Sequence, residues 1–158
     1  MAEKITIIVF SGDLDKALAA FNLAIGAAAM EMKVTMFFTF WGLNVMRKDK
    51  KVSRARGMMR KMLNLVNRGG AKKLPLSRLN MGGLGGSMMK KLMKDSKIPP
   101  LEEMIRMAHE MGVEFIACTT SMGMMGILRE DLITEVGRLA GVATYLGEAG
   151  EGKINLFI

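Results

Sequence analysis

Two runs rich in apolar, β-branched and aromatic residues, Lys4–Phe10 and Lys33–Phe40, flank a single helix-length segment. The first run lacks the polar alternation of a half-exposed strand, so it is read as a strand covered on both faces. Between them, Leu14, Leu18, Phe21, Ile25 and Ala28 recur near helical spacing, with Ser11 or Asp13 placed to cap a helix over 14–30. Strand, helix and strand with short joints predict a parallel sheet with right-handed crossovers.

The chain continues the pattern beyond a long interruption. A helix is expected over 52–67, with Met58, Met59, Met62, Leu63 and Val66 as its apolar side. Residues 68–97 hold three Gly-Gly pairs and Pro75 among lysines, which reads as an irregular basic, Gly- and Met-rich insertion with short helices near 76–80 and 87–94. Pro99-Pro100 closes it, and a helix over 100–111 carries Glu102 and Glu103 at its start and Gly112 as its stop. A strand at 113–117, a helix over 129–140, a short buried piece at 141–142, a helix over 143–150 and a last strand at 153–158 complete the order. The fold expected is α/β, one three-layer domain over 1–158 with a mostly parallel sheet and helices on both faces.

Charge separates the insertion from the rest. Between Arg47 and Lys97 lie 16 of the 23 bases and only two of the 15 acids. Such a patch could attract nucleic acid, an acidic protein or an anionic metabolite, or be a solvated face. No aromatic residue lies in it, which argues against nucleic acid, because binders interleave stacking rings with charge. The longest apolar stretch, Ala17–Met30, contains Asn22 and falls short of the roughly 20 residues of a spanning helix, so no membrane partner is expected. The N-terminus reads directly into a strand without a signal-peptide pattern, and a single cysteine forms no intrachain disulfide. A cytoplasmic location is expected.

That cysteine, Cys118, ends the strand at 113–117 and precedes Thr119, Thr120 and Ser121. At the carboxyl end of a parallel strand, backbone N–H groups and the start of the next helix lower a thiol pKa and stabilise a thiolate or persulfide. The three hydroxyls could add donors. The plain alternative is a small buried hydrophobe, since free cysteine is among the most buried residue types. His109 stands alone mid-helix and reads as a surface residue. One His and one Cys make no metal site, and no cofactor is required. The glycine run at 82–86 matches neither a P-loop nor a dinucleotide fingerprint and reads as a hinge. Met104, Met107 and Met111 have helical spacing and read as core filler, the other methionines as an adaptable partner surface.

Three blocks carry a resemblance: 10–16 after the first strand, 36–43 after the second, and Ala117-Cys118 with Ser121-Met122 and Met125-Gly126-Ile127. With 143–146 and the final strand they span nearly the whole chain, which resembles the DsrE/DsrF-like family of small sulfur-relay proteins. The resemblance implies a flavodoxin-like fold, a homo-oligomer, and Cys118 carrying sulfane sulfur as a persulfide between a rhodanese-like donor and a TusA-like acceptor, as a sulfurtransferase or sulfur carrier. The subgroup is sometimes labelled a peroxiredoxin family. Here no Pro-x-x-x-Thr-x-x-Cys arrangement precedes Cys118, and no second cysteine is present to resolve a sulfenate. An alternative keeps the fold without sulfur transfer: Ser11, Gly12, Asp13, Phe40, Trp41, Gly42 and Cys118 would line a pocket for a nucleotide or coenzyme thiol.

Overall fold

The computed structural model describes residues 2–49, 56–67 and 69–158. Five parallel strands form one sheet in the order β4-β3-β2-β1-β5. They are β1 (Lys4–Val9), β2 (Lys33–Phe38), β3 (Glu114–Cys118), β4 (Arg138–Ala140) and β5 (Ile154–Phe157). The helices are α1 (Leu14–Ala29), α2 (Met58–Val66), α3 (Leu84–Asp95), α4 (Leu101–Glu110), α5 (Thr119–Met125) and α6 (Val142–Gly150), with a 3-10 stretch at Phe40–Met46. Among the described residues no helix is long and apolar enough to cross a membrane.

The two sheet faces differ. Against one, α1 and α4 bury Ile5, Ile7, Val9, Met36, Phe38 and Phe115 in a continuous core. Phe21 of α1 packs edge-on to Phe115, centroids 5.7 Å apart, as quadrupolar rings prefer. The other face is covered by α6 through a small cluster of Phe37, Ile116, Cys118 and Tyr145. Polar contacts hold α6 there. The Tyr145 and Thr6 hydroxyls lie 3.1 Å apart, and Glu148 accepts from Lys4 and, at 2.7 Å, from Arg138 Nη2.

Several expected elements differ from the observed ones. The helix expected over 129–140 is a 3-10 turn at Arg129–Asp131 followed by β4. Arg129 Nη2 donates to the Val136 carbonyl at 2.7 Å and Ile133 N–H to the Met46 carbonyl at 2.8 Å, so a side-chain bond within the stretch and a backbone bond to the 3-10 segment replace helix bonding. The piece expected at 141–142 supplies the cap and first residue of α6 instead. No helix forms over 76–80, where Ser77 N–H and hydroxyl donate to the Asp15 carboxylate and hold the segment to α1. The second insertion helix is longer than expected, as α3.

Of the helix expected over 52–67, residues 52–55 lie outside the described ones, and α2 turns Met58, Met59, Met62 and Val66 outward. Asn64 is its buried residue, donating to the Met125 carbonyl at 3.0 Å. Met107 and Met111 are exposed, and only Met104 of that row is core.

Hydrogen bonds from Lys4 and then from Arg138 hold the Glu148 carboxyl below its ordinary range. A depressed carboxyl pKa contributes stability above the unfolded value of about 4.3, lost as pH falls through the folded value. Glu148→Gln is expected to lower stability by about 1 kcal/mol at neutral pH. Urea unfolding should show that difference shrinking below about pH 4.

Candidate functional site around Cys118

Cys118 is both the last residue of β3 and the N-cap of α5. The sheet register pairs Ala117 with Phe38 and Cys118 with Ala140, so the residue after Phe38, Thr39, comes alongside the cysteine. The thiol residue is buried, 5% exposed, among Phe37, Ile116 and Tyr145 on the α6 side of the sheet.

Burial pushes the Cys118 thiol up, but hydrogen bonds oppose it. The nearby Ser121 N–H and hydroxyl, the Thr39 hydroxyl and the Thr120 N–H outweigh burial and hold the thiol below its ordinary value. Ser121 is buried, and its hydroxyl lies 2.7 Å from that of Thr39. Each hydroxyl has one proton, so while one donates to the other, the pair sends one O–H to the sulfur. Such donors stabilise a thiolate or a persulfide anion more than a neutral thiol.

The other candidate residues lie along the same sheet edge. Gly12 and Gly42 lock the loops after β1 and β2 together. A Cβ on Gly42 would stand 1.8 Å from the Val9 carbonyl oxygen, and one on Gly12 2.7 Å from that of Trp41. Gly42 N–H donates to the Phe10 carbonyl at 2.8 Å. Phe40 adopts a left-handed φ of 47°, a strained value for a bulky side chain, with its ring 5.4 Å from that of Phe10.

A pocket of about 280 Å3 lies here, lined by Ser11, Gly12, Asp13 and Trp41 together with Lys16 and Asn44. Phe40, Gly42, Cys118, Thr119, Thr120 and Ser121 do not line it. The sheet edge therefore carries two groups, the pocket under Trp41 and the sulfur with its donors. Thr119 and Thr120 are exposed, and Trp41 is 43% exposed.

Thr39 was not singled out by sequence reasoning. Its signal was available: like Ser11 and Cys118, it is an early polar or sulfur residue at the end of an apolar strand, and in a parallel sheet such ends converge. His109 is exposed near the end of α4, which leads into the start of β3 rather than its cysteine-bearing end. Among the described residues no three His, Cys, Asp or Glu side chains gather to hold a metal ion.

The sequence pattern that defines the DsrE/DsrF/DrsH-like family matches residues 1–157. The chain belongs to this family. It is 43% identical to the Bacillus subtilis protein YrkE over 156 residues, covering 99% of this chain and 97% of that one. It is 32% identical to the sulfur carrier protein DsrE2 of Allochromatium vinosum over 163 residues, covering 99% and 98%. Among solved structures, the ychN protein of E. coli shares the fold at a TM-score of 0.60 and 11% identity, over 100% of both chains. MTH1491 of Methanobacterium thermoautotrophicum does so at 0.57 and 14%, over 99% of both.

In this family member, Thr39→Val and Ser121→Ala should each raise the thiol pKa and slow alkylation of Cys118 at pH 7 by about three- to tenfold. The double variant should be slowest, because it leaves the sulfur no O–H donor, whereas each single variant leaves one that the lost hydroxyl no longer strengthens. Iodoacetamide rates across pH read this directly, with the midpoint moving upward in each variant.

Proposed function

We propose that this protein carries sulfane sulfur as a persulfide on Cys118, between a rhodanese-like donor and a TusA-like acceptor. The observation that supports the reading most is the set of donors around Cys118 at the strand end, which favours an anionic sulfur in an otherwise apolar setting. The likeness to a sulfur carrier along the whole chain supports it independently.

The chemistry needs no external oxidant or reductant. The Cys118 thiolate attacks the outer sulfur of a donor persulfide, a new S–S bond forms, and the donor S–S bond breaks with its electron pair leaving on the donor thiolate. The proton of the outer sulfur stays with it or passes to solvent. An acceptor thiolate then attacks the same outer sulfur and restores the Cys118 thiolate.

A second reading, a binding module for a nucleotide or coenzyme thiol, is favoured by the pocket under Trp41, where an anion would meet Lys16 in competition with Asp13, its ion-pair partner at 3.2 Å. Its volume of about 280 Å3 lies just below the roughly 300–1,000 Å3 of ligand sites. Assembly into a homo-oligomer belongs to the proposal as well. Met58, Met59, Met62 and Val66 on α2, with Met88 and Leu92 on α3, are exposed apolar side chains of a kind that usually marks an interaction surface. Light scattering at micromolar concentration should give a mass above that of one chain, and a strict monomer would remove this part.

Incubation with a polysulfide or persulfide donor should add sulfur to Cys118, seen by mass spectrometry and reversed by a thiol reductant. Cys118→Ser should abolish loading without loss of fold, and Trp41→Ala should change its rate only. A native Cys118 that takes up no sulfur, yet reacts once the chain is denatured, would favour the binding module.

A further inference from the structure

Apart from the cysteine site, the basic insertion encloses a solvent-open cavity of about 850 Å3 against the starts of α1 and α4. That volume lies within the roughly 300–1,000 Å3 of small-molecule sites. Its floor is apolar: Leu14, Met93 and Leu101 are all buried core residues. Pro99 and Pro100 add a wall without amide hydrogens to donate.

Lysines surround this floor. Lys72 comes from the turn at Ala71–Lys73, Lys90 and Lys94 lie one turn apart on α3, and Lys97 follows its end. Among the described residues, Lys72, Lys94 and Lys97 form no ion pair, and Lys90 donates to the Lys72 carbonyl. Like charges four residues apart on a helix repel, so their convergence has a cost that a bound anion would offset. Glu102 and Glu103 line the cavity from α4, which leaves the surplus positive charge on the α3 side.

The lining selects among ligands. A bare inorganic anion would leave the apolar floor open to water. A neutral hydrocarbon would leave the lysines uncompensated. No described lining residue is aromatic, so a nucleobase would find no ring to stack on. We infer that this cavity binds a small amphiphilic carboxylate, with its alkyl chain against Leu14, Met93 and Leu101 and its head among Lys72, Lys90, Lys94 and Lys97. The inference is independent of the sulfur chemistry at Cys118, whose residue does not line this cavity.

The cavity contains its own reporters, Met93 and Met107. In 13C-methyl methionine NMR of the full chain, decanoate below its micelle concentration should shift both signals saturably. Acetate, with the head alone, and decanol, with the chain alone, should not saturate them. The exposed-lysine variant Lys94→Ala/Lys97→Ala should keep its fold and bind decanoate about tenfold more weakly. The proposal is overturned if decanoate leaves Met93 and Met107 unmoved, if decanol moves them equally, or if the lysine variant binds as well. It is equally overturned if these signals move on dilution of the protein alone and decanoate does not compete, because a second copy would then be the occupant.

Discussion

Backbone contact between the loops after β1 and β2 is the constraint on which the site depends. Gly42 lies so close to the Val9 carbonyl that no side chain fits between them, and Gly12 is pressed in the same way against Trp41. This contact fixes how the chain leaves β2. It thereby sets Thr39 beside Cys118, where its hydroxyl meets that of Ser121. The strained φ of Phe40 belongs to the same joint. A sulfur site built this way owes its geometry to parallel strands ending together, with α5 contributing the Thr120 and Ser121 amides.

The sheet then gives that sulfur an unusual setting. One face is covered by α1 and α4 around a large core, whereas the other, among the described residues, rests on α6, held by Tyr145 and by Glu148 between Lys4 and Arg138. Cys118 lies on the thinner side. Its surroundings are apolar enough to raise a thiol pKa, and the local donors reverse that effect. The combination favours a sulfur anion that is kept largely from water yet lies at the edge of the fold.

The sheet was legible in the sequence because its inner strands are short, apolar and bounded by turn residues. The register could not be read, so nothing in the sequence set Thr39 beside Cys118. The stretch 129–140 has the composition of a helix, but Arg138 pairs with Glu114 on the neighbouring strand and with Glu148 on α6, and tertiary bonds outweigh weak local propensity. Residues 58–66 do form a helix, yet their apolar side points outward because Asn64 anchors the opposite side to Met125. Periodicity identifies an amphipathic helix without saying which face the fold will cover. The cavity beneath Lys94 and Lys97 was equally out of reach, since it arises where the insertion folds back on Leu14 and Leu101.

The fold is expected to hold Cys118 as a stabilised sulfur anion. Titration of its thiolate absorbance in the native protein, beside the same titration in denaturant, tests this most directly, because the chain has one cysteine. The native midpoint is expected below the unfolded one of about 8.5, and it should move up when Thr39 and Ser121 lose their hydroxyls. A native midpoint at or above the unfolded value would make Cys118 a buried structural thiol instead.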